Sequence, residues 1–211
     1  MYKLFYAPGT AAMVVHQTLI EIGAPFELRP VDMSSGEHKS PEYLKINPSG
    51  VVPTMLVDGK PYYEAAALVL LLTERHPEAA LAPPPGSPAR PAFVQWMFHF
   101  ANSVQPPFRQ WYNAKEFAAS DSEADVVKTT GWRKIEASWN RVNDHLAAHG
   151  PHILGDTFSV CDLYATMLMR WSRAMPKPAT EWPALAALAT RVKSRPSWKR
   201  MYQEEGLTEW A

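Results

Sequence analysis

The stretch from Pro77 to Pro91, Pro-Glu-Ala-Ala-Leu-Ala-Pro-Pro-Pro-Gly-Ser-Pro-Ala-Arg-Pro, cuts the chain in two. Proline fixes φ and removes the backbone donor, so no helix interior or inner strand can run through it, and it reads as a linker. The patterning differs on its two sides. Upstream, Tyr2 to Tyr6 and Phe26 to Val31 read as strands flanking a helix from about Ala11 to Ile22, which stops at Gly23. After a polar loop come a strand over Val52 to Val57, a turn at Asp58-Gly59, a short strand near Pro61 to Tyr63 and a helix over Glu64 to Glu74. The order strand, helix, strand, short helix, hairpin, helix suits a thioredoxin-like α/β layer, and order alone also suits other small α/β sandwiches.

Downstream there is no β-rich run. Phe93, Trp96, Met97 and Phe100 recur at i, i+3, i+4, i+7, the stripe of a buried helix face. Pro106-Pro107 must distort that helix locally. An amphipathic stretch over Glu123 to Ala148 stops at His149-Gly150-Pro151, and Ser159-Val-Cys-Asp162 has the spacing of a capping box. Helices over Pro183 to Lys193 and Pro196 to Glu204 complete an all-α second half. The expected division is 1–78, a linker at 79–91, and 92–211.

Lys plus Arg and Asp plus Glu number 21 each, so no net field draws the chain to nucleic acid or an anionic membrane surface. No apolar run reaches the ~20 residues of a membrane span, and no basic segment leads into a signal-peptide core, so a cytoplasmic protein is expected. The single cysteine, Cys161, allows neither an internal disulfide nor a multi-cysteine zinc site.

Three segments resemble the glutathione S-transferase family, most closely its bacterial members: Tyr6-Ala-Pro-Gly-Thr10, the run from Gly36 to Pro53, and Gly155-Asp-Thr-Phe-Ser-Val-Cys-Asp162. With the linker and the helical second half, the resemblance covers essentially the whole chain. It implies a thioredoxin-like first domain that binds glutathione as co-substrate, an all-helical second domain, a homodimer and no metal. The expected reaction is attack of the glutathione thiolate on a small apolar electrophile or a peroxide. The alternative is a protein that keeps the fold and binds glutathione or apolar ligands without activating the thiol.

A free thiol of pKa ~8.5 is only about 3% thiolate at neutral pH, so the enzyme must supply donors to the sulfur. Bacterial relatives commonly carry Cys or Ser after the Pro-Gly turn, where this chain has Ala11 and Ala12. The remaining hydroxyls are Thr10 and Tyr6, which also suit a helix cap and a core aromatic. His16 reads as structural. The resemblance further implies that Pro53 is a cis-proline exposing the backbone of Val52 to the cysteinyl unit. It implies that His38 and Lys39 meet the glycine carboxylate, and that Glu64 and the backbone of Ala65 hold the γ-glutamyl end. Gln105, Phe108, Tyr112 and Trp171 are the candidates for a second-substrate cleft, and core packing accounts equally well for the aromatic ones.

Overall fold

The computed structural model describes residues 1–210. The chain falls into two compact units, Met1–Ala82 with Lys193–Ala211, and Pro83–Val192. This differs from the expected 92–211 domain, because the last helix groups with the strand-bearing unit.

In the first unit the elements are β1 (Tyr2–Tyr6), α1 (Ala12–Glu21), β2 (Phe26–Pro30), α2 (Pro41–Leu44), β3 (Thr54–Val57), β4 (Lys60–Tyr63) and α3 (Ala65–Arg75), joined from the far end of the chain by α9 (Pro196–Glu204). The sheet order is β2-β1-β3-β4, with β1 parallel to β2 and antiparallel to β3. Tyr2 stands opposite Phe26 on one side and Val57 on the other. The parallel pair needs a crossover, which α1 supplies, and the antiparallel pair β3–β4 needs only a tight turn. Asp58 and Gly59 make that turn at φ 52° and 82°, the two left-handed residues of a type I′ hairpin. Along β1, Tyr2, Leu4 and Tyr6 are buried while Lys3 and Phe5 on the opposite face are partly covered, the alternation that places a helix on each face.

Every residue of α1 from Ala12 to Leu19 is buried. The cause is α9, which packs on α1 together with α3. Arg195 grips the Glu21 carboxylate through Nε and an Nη at 2.6 and 2.7 Å, and Gln17 donates to Ser197 Oγ at 3.1 Å.

The second unit holds α4 (Arg90–His99), α5 (Gln105–Tyr112), α6 (Asp121–His149), α7 (Val160–Trp171) and α8 (Pro183–Lys193). Phe93, Trp96, Met97 and Phe100 are all buried, as the stripe requires. A π-helical turn, Phe100–Val104, separates α4 from α5. Pro106 and Pro107 have no N–H to give the carbonyls of residues 102 and 103, so the ladder slips by one residue before them. At the start of α7, Ser159 Oγ accepts from Cys161 N at 3.3 Å, and Asp162 Oδ2 accepts from Ser159 N at 2.8 Å. Asp162 Oδ1 also accepts from Ile153 N at 2.9 Å, so one carboxylate closes the capping box and pins the preceding loop. Gly131 of α6 lies against α5, where a β-carbon would come within 2.9 Å of Gln110 Cβ and 3.0 Å of Pro107 O.

Candidate functional site

The turn from Ala7 to Ala11 leads from β1 into α1. Gly9 has φ 73°, open to glycine without strain. Thr10 Oγ1 donates to Ala7 O at 2.7 Å and accepts from Ala12 N at 3.3 Å. A hydroxyl has one hydrogen, and in Thr10 it is spent inside the turn. Among the described residues the Ala11 N–H meets no acceptor, which leaves it as the unspent donor at the N-terminus of α1. Tyr6 is buried, its ring 6.1 Å from that of His16. Burial, and after it the charges of Glu205 and Glu204, push its phenol above the usual value, so Tyr6 stays protonated.

His16 is fully buried and bonds at both ends: Nδ1 lies 3.0 Å from Glu205 Oε1 and Nε2 2.8 Å from Glu204 Oε2. The other oxygen of Glu205 accepts the Gly9 N–H at 2.9 Å. The sequence reading of His16 as structural did not include these partners, nearly 190 residues away.

The loop 36–53 presents a second group. His38 and Lys39 sit in a single helical turn, Glu37–Lys39. Lys39 Nζ donates to Gly50 O at 2.8 Å and lies 3.4 Å from Ser49 O, so part of its donor capacity holds the loop. His38 Nδ1 is buried and unpartnered among the described residues. The Val52–Pro53 peptide is cis. Around it a buried polar ring closes: the Tyr43 hydroxyl donates to Val51 O at 2.8 Å and meets Thr54 Oγ1 at 2.9 Å. Asn47 Nδ2 reaches the same two acceptors at 2.8 and 3.0 Å. Burial raises the Tyr43 phenol above its ordinary value, against the hydrogen bonds to Thr54 and Asn47.

Glu64 precedes α3 with φ 72° and ψ 108°, a left-handed conformation that costs a non-glycine residue about 1–3 kcal/mol. Its side chain is exposed and does not cap the helix, so the strain is not repaid by a capping bond. The first N–H of α3, on Ala65, likewise has no side-chain acceptor.

In the second unit the four cleft candidates part company. Phe108 is a core residue at 1% exposure, edge-on to Trp139 and Trp171 at 6.4 and 5.6 Å. Gln105 Oε1 accepts the Tyr164 hydroxyl at 2.6 Å. Tyr112 is 52% exposed, and its hydroxyl donates to the carbonyl of the partly buried Trp171. Tyr112 lines a surface cavity of about 400 Å³, which it shares with Trp111, Asn113 and Lys128. Helical spacing put Phe108 and Tyr112 on one face, but the neighbouring helices bury one and leave the other in solvent. Cys161 is buried, and that burial, with Asp162 beside it, pushes its thiol well above the usual range, so it is not a nucleophile.

Residues 11–75 match the family profile described as glutathione S-transferase, N-terminal domain. Among solved structures, the bacterial transferase BphK, determined as a ternary complex, is 30% identical at a TM-score of 0.86, over 97% of this chain and 100% of that one. The chain belongs to the glutathione S-transferase family. Its N-terminal part, with the four-stranded sheet, is therefore the thioredoxin-like domain of that family, followed by the family's helical domain. The curated glutathione S-transferase GstA of Escherichia coli O157:H7 is 28% identical over 208 residues, spanning 97% of this chain and 99% of the relative. A glutathione transferase homolog from Sulfitobacter, solved with bound glutathione, is 25% identical at a TM-score of 0.89 and covers 99% of each chain.

Within this glutathione S-transferase, sequence reasoning missed Tyr43, Asn47 and Thr54, which brace the cis peptide, and Glu205, which reaches the Gly9 turn. The first three lie in or beside the segment that carried the resemblance. Glu205 carried no local signal.

Proposed function

We propose that the protein catalyses conjugation of glutathione to a small apolar electrophile. The Ala11 N–H, unspent at the start of a ten-residue helix, carries this reading. A charge-assisted hydrogen bond to a thiolate is worth about 1.5–3 kcal/mol, a depression of roughly 1–2 pKa units. The α1 N-terminus adds its partial positive charge. Thr10 becomes a second donor if its hydroxyl turns from Ala7 O to the sulfur, and Tyr6 is a lesser candidate.

The tripeptide lies along Val52 like an added strand, with its cysteinyl amide and carbonyl paired to the backbone beside Pro53. Lys39, with a hydrogen to spare, and His38 receive the glycine carboxylate. The exposed Glu64 carboxylate and the Ala65 N–H receive the ammonium and carboxylate of the γ-glutamyl end. In the reaction, sulfur forms a bond to the electrophilic carbon as the leaving group departs with the bonding electrons, and the thiol proton goes to solvent. Tyr112 and Gln105 are the favoured contacts for the electrophile, with Trp171 behind them and Phe108 supporting from the core. A peroxide is the second substrate class. No described helix is long and apolar enough to cross a membrane, and a cytoplasmic setting completes the reading. A homodimer is also expected, and exposed Tyr62 and Tyr63 on the edge strand β4 offer apolar surface for a second copy.

Titrating bound glutathione by thiolate absorbance near ~240 nm tests the reading. Wild type is expected to depress the thiol by at least about one unit, Thr10→Ala to retain most of the depression, and Tyr6→Phe to retain nearly all. A bound thiol that titrates like free glutathione favours the alternative, a non-catalytic binder of glutathione or apolar ligands. The absence of side-chain hydroxyls at Ala11, Ala12 and Ala65 is what would explain it.

A further inference from the structure

A single carboxylate ties the end of the chain to the turn that precedes α1. The Glu205 side chain has no solvent exposure, and its two oxygens are divided between His16 Nδ1 and the Gly9 N–H. His16 passes the connection on to Glu204, whose other oxygen accepts from Arg200 Nε at 2.8 Å. The series Arg200, Glu204, His16, Glu205 is charge-balanced when both imidazole nitrogens carry hydrogen, and it ends on a backbone amide rather than on another side chain. Tyr6 packs against His16 as the remaining titratable group on this cluster. Within the turn Thr10 N lies 3.3 Å from Ala7 O and the Thr10 hydroxyl donates to the same carbonyl at 2.7 Å, while Gly9 has no side chain to fix its torsions. A rotation at Gly9 re-aims every amide that follows it, including that of Ala11.

We propose that Glu205 is a positioning residue for thiol activation: its carboxylate, gripped by His16, fixes the Gly9 amide and so aims the Ala11 N–H at the glutathione sulfur. The inference rests on the function proposed above. It also names a role for the C-terminal segment that the thioredoxin-like layer alone does not supply.

Two variants separate reach from charge. Glu205→Gln keeps the length: its Oε1 can accept from Gly9, while its Nε2 donates to a neutral His16 whose Nε2–H stays on Glu204. Glu205→Asp keeps the charge but is shorter by one carbon, about 1.5 Å, and cannot span His16 and Gly9 together. The expected result is that Gln retains most of the wild-type thiol depression. Asp should lose about one pKa unit, lowering kcat roughly tenfold on the acidic limb of the pH profile, with KM for glutathione changed less than about threefold. The inference is overturned if Asp leaves the acidic limb in place and merely lowers the folded fraction, or if Gln is the impaired variant. Hydrogen exchange at the Gly9 amide of wild type gives a reading that needs no variant to fold: protection is expected, and exchange as fast as in an unstructured glycine overturns the inference. If wild type fails to depress the glutathione thiol while Gly9 is protected, the proposed function is what falls.

Discussion

The loop 36–53 and the turn 7–11 both carry residues proposed to hold glutathione, and the chain secures them by opposite means. In the loop, every partner is close in sequence: Tyr43 to Val51 and Thr54, Asn47 to the same two, and Lys39 to Gly50. In the turn, the decisive bond comes from Glu205, 196 residues away, through a buried histidine and two carboxylates. The loop can form as soon as its own segment is folded. The turn acquires its anchor only when α9 has docked on α1, so its order depends on the completed unit.

The largest effect that could break this contrast is His16→Ala. Removing the His16 ring takes a hydrogen-bond partner from a buried carboxylate and opens a cavity beside it, leaving Glu205 with the Gly9 amide, and about 3–5 kcal/mol should be lost. Urea unfolding should register a loss of that size; a loss below about 1 kcal/mol would mean the turn needs no distant anchor. Gly50→Ala probes the locally held region. Its φ of 58° is left-handed, and a β-carbon there would lie 2.9 Å from His38 O and from Lys39 Nζ, so about 2–3 kcal/mol should be lost and glutathione affinity should fall with it. Tyr43→Phe deletes one donor from the polar ring while Asn47 continues to serve Val51 O, for which about 1–2 kcal/mol and a few-fold rise in KM for glutathione are expected.

Acid gives the smallest and most selective probe. Burial alone would raise Glu21, but the hydrogen bonds from Arg195 and Ser197 outweigh it and hold the carboxyl below 4.5. Glu204 is lowered in the same way, with Arg200 and His16 overcoming its burial. A depressed folded-state pKa stabilises above the unfolded value and loses that contribution as pH falls through the folded value. The docking of α9 on α1 should therefore weaken below pH 4.5, and the difference in urea midpoint between wild type and Glu21→Gln, present at neutral pH, should shrink there. The polar ring of Tyr43, Asn47 and Thr54, whose groups are neutral, should not share this dependence.

Local signals in the sequence were read faithfully. Asp58-Gly59 specified the hairpin because its conformation needs residues that accept positive φ. Ser159 and Asp162 specified the start of α7 because capping is an interaction between residues three apart. The buried stripe from Phe93 to Phe100 followed from helical period alone. What period could not supply was the identity of the neighbour. Phe108 and Tyr112 share a face of α5, yet the ring of one is buried against Trp139 and Trp171 while the other is half exposed, its hydroxyl on the Trp171 carbonyl. The sequence likewise gave no means to group α9 with the strand-bearing unit, since Arg195, Ser197 and Glu205 find their partners across almost the full chain. In the candidate site, residues of the run from Gly36 to Pro53 were named beforehand, whereas the commitment of the Thr10 hydroxyl to Ala7 O is a matter of rotamer that no spacing encodes.

Gly131 sets a boundary on how this molecule can be altered. Because hydrogen is the largest group that fits between α6 and the Pro107 carbonyl, α5 can approach α6 no further, and a β-carbon at residue 131 would force the two helices apart. Retuning of selectivity through α5 is then better sought at exposed side chains such as Tyr112 than at residue 131, where a library should yield mostly destabilised chains rather than new preferences.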